Sequence, residues 1–283
     1  MKVVLFCGGA GMRLRGYSDD VPKPMVTIGS RPIMWHLMKY YAHYGHKDFI
    51  LCLGYKGSVI KDYFLHYDEG VSNDFVLSQG GRKVTYLHRD IDDWTITFVQ
   101  TGLNATIAER LKAVEPYLKG EEAFLANYSD GLTDLPLPVL IEEFKRSNAL
   151  GYMLLVQPKA SFNLVSVTPD GVVQDVRGMD DTDLWINGGF FVFRNEIFRY
   201  IQNGEELVQE PFQRLIERRT LRGYQYRGFW GCMDTFKEKQ YLEELENNGA
   251  PWKVWCHKPR RNEDITLPDN EWAVIVGGSS VKA

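Results

Sequence analysis

Residues Val3 to Met25 read VVLFCGGAGMRLRGYSDDVPKPM, and this stretch limits what the chain can become more than any other. Val3 to Phe6 form an apolar run without polar alternation, as expected of a strand buried on both faces of a parallel sheet. Gly8, Gly9 and Gly11 follow at once, and without Cβ atoms their backbone N–H groups can approach a ligand closely. Arg13 comes next, and Lys23 stands between Pro22 and Pro24. A strand, a glycine turn and two cations describe a cradle for several phosphates. The plainer reading is a tight strand-to-helix connection. The dinucleotide fingerprint does not fit, because no third glycine follows Gly11 at the required spacing, and no G-x-x-x-x-G-K-[ST] occurs in the chain. Lys23 is harder to assign to a plain turn, since prolines on both sides stiffen the backbone and aim one long cation.

The 283 residues suffice for one large α/β domain, and 44% hydrophobic with 25% charged residues are ordinary globular values. A net charge of −4 argues against nucleic acid or an acidic membrane surface as the main partner. Four cysteines, Cys7, Cys52, Cys232 and Cys256, are widely spaced, with no C-x-x-C pair. No apolar run approaches the length of a membrane span, and the chain opens on a strand without a leader, so a cytoplasmic protein is expected.

Strand and helix patterns alternate through the first 160 residues, which predicts βαβ units and a mainly parallel sheet. Helices are expected at Ile33 to Tyr44, Thr106 to Leu118, Asn195 to Ile201, Pro211 to Arg219 and Phe236 to Asn247. Strands are expected at Phe49 to Leu53, Thr95 to Gln100, Ala123 to Ala126, Tyr152 to Val156 and Ile186 to Phe193. A hairpin is expected over Leu164 to Val176, around Pro169-Asp170-Gly171. Residues 67 to 94 read as a surface excursion, and 257 to 283 as an appendage. Two aspartates carry the chemical expectation. Asp130 ends a buried strand, where open α/β sheets place ligands, and Asp234 precedes the last helix. Singly they read as a turn residue and a helix N-cap; together they suit Mg2+, which takes one or two carboxylates plus phosphates.

The pattern G-G-x-G-x-R-L followed by P-K-P-M resembles the nucleotide-binding signature of the sugar-phosphate nucleotidylyltransferases. Within that family it is most similar to the glucose-1-phosphate cytidylyltransferases, through Trp35-His36, Gly54-Tyr55-Lys56-Gly57, Ile186 to Val192, Gln209-Glu210-Pro211, Gly228-Phe229-Trp230, Met233-Asp234-Thr235 and Ala250 to Lys253. The resemblance covers residues 1 to 256. It implies a Rossmann-like, mainly parallel mixed sheet flanked by helices, with a small β-rich acceptor part. Residues 1 to 135 would mainly bind nucleotide and 150 to 235 the acceptor. Phe6, Gly8, Gly9, Ala10, Gly11, Met12, Arg13, Lys23, Thr101, Gly102 and Asp130 would hold the nucleotide, and Asp130 with Asp234 the Mg2+. Arg13, Lys23, Asp130 and Asp234 would be catalytic.

The implied partners are CTP, with UTP or dTTP behind it, and a sugar phosphate, glucose 1-phosphate first. The expected assembly is a homo-oligomer. The other readings are a different phosphorylated acceptor and a nucleotide-binding homologue without turnover. Where the resembling enzymes have Glu-Lys-Pro before the Ile-Asn-Gly-Gly strand, this chain has Val176-Arg177-Gly178-Met179. Arg177 or Lys159 is therefore expected to meet the acceptor phosphate, with Tyr128, Asn187 and Gly188 orienting the acceptor.

Overall fold

A computed structural model describes residues 1–9, 21–158, 163–179 and 183–256. Eight strands form one sheet: β1 (Val3–Phe6), β2 (Asp48–Leu53), β3 (Thr95–Gln100), β4 (Ala123–Tyr128), β5 (Gly151–Val156), β6 (Ile186–Asn187), β7 (Phe191–Arg194) and β8 (Leu221–Tyr226). Across the sheet β3, β2, β1 and β4 run parallel; β7 is antiparallel to β4, and β5 is antiparallel to both β6 and β7. Strand β8 closes the far edge parallel to β5. The expected mixed, mainly parallel sheet is what forms.

The unalternating run of β1 explains the layering. Val3 and Leu5 face one apolar core and Val4 and Phe6 the other. The first core is filled by α1 (Ile33–His43) and α4 (Leu137–Arg146), the second by α3 (Ile107–Val114) and α5 (Glu210–Glu217). Helix α2 (Gly57–Leu65) follows β2, and α6 (Phe236–Asn247) follows the last carboxylate-bearing segment. Cys7 and Cys52 are fully buried, as small hydrophobes in strands tend to be.

Four elements differ from the expected series. The strand expected over Ile186 to Phe193 is broken at Gly188–Phe190, where Gly189 has φ +76° and Phe190 φ +48°. A Cβ on Gly189 would lie 2.3 Å from Asn127 Oδ1, which accepts from the Phe190 N–H at 2.9 Å. Strand β4 continues two residues beyond Ala126, to Tyr128. Strand β8 falls in a stretch expected to be irregular. Its sequence LRGYQY lacks a clean apolar pattern, and Gly223 lets it lie against β5, since a Cβ there would meet Leu155 Cδ1 at 2.4 Å. The helix expected over Thr106 to Leu118 tightens to a 3-10 turn after Val114, where Pro116 cannot supply an N–H.

His36, on α1, is 2% exposed and tied on both ring nitrogens. Trp252 Nε1–H donates to Nδ1 at 3.3 Å, and Nε2 lies 3.0 Å from Ile28 O. These partners suit the neutral ring with its proton on Nε2. Burial pushes the imidazole down from 6.5 to about 4. The unfolded chain therefore takes up a proton as pH falls through 6.5, while the folded chain does not until about 4. This contribution is complete above 6.5, and roughly 3 kcal/mol of stability is lost between 6.5 and 4. Urea unfolding across that window should show a steeper pH slope for the wild type than for His36→Gln; equal slopes would refute the assignment.

Candidate active site

The C-terminal ends of β1, β2, β3 and β4 open on one edge of the sheet. From β1 the chain continues through Cys7, whose N–H bonds Cys52 O at 3.0 Å, into Gly8. Gly8 O accepts from Tyr55 N at 3.3 Å and from Arg110 Nη2 at 3.2 Å. A Cβ on Gly8 would lie 2.0 Å from Arg110 Nη1, so this position has no room for a side chain. Gly9 has open space around it, and Phe6 packs against Tyr128 with ring centroids 6.2 Å apart. Ala10, Gly11, Met12 and Arg13 lie outside the described residues.

Arg110 is the residue the sequence reading missed. It is 3% exposed and donates to Thr101 Oγ1 at 2.7 Å, Gly102 O at 2.8 Å and Leu103 O at 3.2 Å, besides Gly8. One guanidinium therefore joins the glycine turn to the Thr101–Gly102 loop. The signal was present: Ile107, Leu111 and Val114 make the apolar stripe of α3, and Arg110 sits at the i+3 position of that same stripe. A cation on a core-facing stripe needs buried acceptors, and here they are the carbonyl oxygens at strand ends.

Asp130 is the second residue after β4, beyond Ser129. Ser129 Oγ bonds Phe6 O at 2.8 Å and Met233 N bonds Asp130 O at 3.0 Å. Residues Trp230–Cys232 pair antiparallel with Gly131–Thr133, which carries Asp234 to Asp130 across the edge. The cap of α6 is Thr235, in a reciprocal capping box with Glu238, so Asp234 is not the cap that its position suggests. Lys23 begins the 3-10 turn Lys23–Met25 after an extended Pro22. Its ammonium donates to Asp130 Oδ2 and to Asp234 Oδ1. Burial alone would pull the Lys23 ammonium below its usual value, but Asp130 first and Asp234 after it hold the group above that value. Burial lifts the Asp130 carboxyl, with Lys23 opposing. The sequence reading aims Lys23 at a phosphate; the structure sets it between the two carboxylates.

On the other half of the edge, Asn187 Nδ2 donates to Tyr128 OH at 3.3 Å and Gly189 N donates to Asn187 Oδ1 at 2.9 Å. Trp230 Nε1 donates to Gly188 O at 2.9 Å. Tyr128, Asn187 and Gly188 thus come together beside Asp130. Arg177 lies on the hairpin of Asn163–Val167 and Val173–Gly178, about half exposed, with Nε 2.6 Å from Asp175 Oδ2. Lys159 lies outside the described residues.

Among the described residues no group of three or more His, Cys, Asp or Glu side chains could hold a metal. The donor set is the pair Asp130 and Asp234, brought to a single cation. Two hard oxygen donors fit a Mg2+ that takes its remaining ligands from phosphates and water. An α/β sheet whose ligand edge carries a glycine turn, one lysine and two converging carboxylates defines a phosphoryl- or nucleotidyl-transfer enzyme. The model of the nucleotidyl transferase family matches residues 2–248, and the chain belongs to that family. It is 38% identical over 257 residues to glucose-1-phosphate cytidylyltransferase of Salmonella typhimurium, an alignment covering 90% of this chain and 100% of the relative. The D-glycero-alpha-D-manno-heptose 1-phosphate guanylyltransferase of Campylobacter jejuni is 29% identical over 224 residues, 77% of this chain and 89% of that one. The fold matches a UDP-glucose pyrophosphorylase from Acinetobacter baumanii with a TM-score of 0.64 at 16% identity, over 88% of this chain and 95% of that chain. No helix among the described residues is long and apolar enough to cross a membrane.

Proposed function

We propose that this chain transfers CMP from CTP to a sugar 1-phosphate, glucose 1-phosphate first among the candidates, and releases pyrophosphate. The observation that carries the reading is the junction of Lys23, Asp130 and Asp234 beside the glycine turn. The cytidylyltransferase relative, aligned over its whole length, supports the choice of base and acceptor.

A sugar phosphate is already mostly dianionic at neutral pH, so no protein nucleophile is needed. One phosphate oxygen attacks the α-phosphorus of CTP, a new P–O bond forms, and the bond to the β-phosphate breaks in line. Catalysis then reduces to positioning and charge neutralisation. In this reading residues 1–135 hold the nucleotide and residues 150–235 the acceptor. Gly8 and Gly9, with Ala10, Gly11 and Met12 from outside the described residues, would bind the triphosphate, and Arg13 the leaving pyrophosphate. Arg110 holds Thr101 and Gly102 in place beneath the base. Mg2+ held by Asp130 and Asp234 would neutralise the charge shared by the α-phosphate and the departing pyrophosphate. Tyr128, Asn187 and Gly188 orient the acceptor, and Arg177 or Lys159 is the cation assigned to its phosphate.

The enzyme is further proposed to work in the cytoplasm as a homo-oligomer. Two hairpins support assembly, since Phe75, Val76 and Leu77 on one, and Val165, Val173 and Val176 on the other, are exposed apolar side chains.

A screen of pyrophosphate release should cross the four NTPs with phosphorylated sugars and polyols. CTP with glucose 1-phosphate is expected to turn over fastest. A purine nucleotide binding tightest would overturn the base assignment. Nucleotide binding without pyrophosphate release from any acceptor would overturn the enzymatic reading.

A further inference from the structure

Strands β5 and β8 are parallel, with Val156 opposite Tyr226. Because β5 is antiparallel to β7 and β7 antiparallel to β4, both point the way β4 does. Their C-terminal ends therefore open on the same edge as Asp130. The next residue after each strand is polar: Gln157 after β5 and Arg227 after β8. Arg227 Nη1 donates to Gln157 Oε1 at 3.0 Å, and its guanidinium carbon lies 5.3 Å from the centroid of the Trp185 ring. Trp185 is two residues before Asn187, whose amide bonds Tyr128 OH, and Tyr128 is two residues before Asp130. Two contacts, joined by short stretches of chain, thus relate the end of β8 to the carboxylates.

Arg227 has no carboxylate within ion-pair distance among the described residues, and it is exposed. A guanidinium beside an indole that spends one bond on an amide has further N–H donors in its planar fork, suited to paired oxygens. Strand β8 is three strands from β4, roughly 14 Å at ~4.8 Å per strand. Even leaning inward over Trp185, Arg227 cannot meet an oxygen attacking next to Asp130, but it can meet the opposite end of a sugar ring.

We propose that Arg227, steadied by Trp185 and Gln157, binds the oxygens of the acceptor that lie farthest from its reacting phosphate, and so helps select the acceptor. This rests on the nucleotidyl-transfer reading above. The ligand chemistry is a pair of neighbouring oxygens, supplied either by vicinal hydroxyls of a hexose or by a carboxylate at the far end of the ring.

The test is steady-state kinetics of the full chain with CTP and either glucose 1-phosphate or glucuronic acid 1-phosphate, together with CTP affinity by calorimetry. Arg227→Ala should raise the acceptor KM about 10- to 100-fold, the scale of a lost charged hydrogen bond, with CTP affinity unchanged. Trp185→Ala should move the same constant in the same direction, and Arg227→Lys should recover part of it. A similar loss with both acceptors identifies hydroxyl recognition, and a loss concentrated on the glucuronic compound identifies recognition of a carboxylate. Unchanged acceptor KM in both Arg227→Ala and Trp185→Ala, with an active wild type, overturns the subsite alone. A wild type that releases no pyrophosphate with either acceptor overturns the functional reading, and the subsite with it.

Discussion

Asp130→Asn and Asp234→Asn should each lower kcat by at least about a hundredfold, the scale of losing a main charge stabiliser in a preorganised site. Asparagine keeps the size of the side chain and one of its oxygens, so the change removes charge rather than packing. Asp130 is placed by β4 and by the bond from Met233 N, and Asp234 by the pairing of Trp230–Cys232 with Gly131–Thr133. Neither anchor uses the carboxylate, so both variants should fold. Because the two groups converge on one cation, their effects should not add, and the double variant should be little slower than the worse single one. Pyrophosphate release under saturating substrates, with thermal unfolding as the control, decides the matter. Near-normal turnover in either single variant would remove that aspartate from the metal site.

Much of this architecture was legible in the sequence because it rests on strong local signals. The buried run Val3 to Phe6, the glycine turn and the alternating helix and strand patterns specify the parallel half of the sheet with little competition. Asp130 stood out for a physical reason, since a carboxylate at the end of an apolar strand must either turn outward or find a cation. What escaped depends on partners distant in sequence. Arg110 reads as one cation on a short helix until Gly8, 102 residues away, and the Thr101–Gly102 loop are seen to accept from it. The break within Ile186–Phe193 needs Asn127, 63 residues earlier, to accept from Phe190. Strand β8 carries too few apolar residues to announce itself, and it is held in place by β5, which fills the space that Gly223 leaves open. The helix before Asn248 was legible, but not which residue caps it. Thr235 and Asp234 are both good N-caps by type, and the capping box with Glu238 selects Thr235.

Lys23→Met is expected to do two separable things. Catalysis should fall by at least about tenfold, chiefly in kcat, if the ammonium stabilises charge that develops on the α-phosphate. A rise in KM with kcat intact would make Lys23 a binding residue only. The second effect does not involve turnover. Without the ammonium, two carboxylates face each other at a partly buried junction, where the Lys23 side chain is 14% exposed and Asp130 and Asp234 are 20% and 33% exposed. Breaking a fully buried pair costs ~3–5 kcal/mol, and the exposure of Asp234 reduces this to roughly 2–3 kcal/mol. Urea unfolding in EDTA should therefore show a destabilised variant. Millimolar Mg2+ should restore much of that loss and leave the wild type nearly unchanged, because only the variant lacks a resident cation between the carboxylates. Equal stabilisation of both proteins by Mg2+ would show that the metal does not compete with Lys23 for this position. No stabilisation of either would show that Asp130 and Asp234 do not bind the metal before the nucleotide arrives. The wild type should in turn bind Mn2+ more weakly than Lys23→Met when no nucleotide is present, since each metal ion entering must first displace the ammonium. Weaker Mn2+ binding by the wild type is the result expected if Lys23, which joins the two carboxylates here, must yield them to the metal.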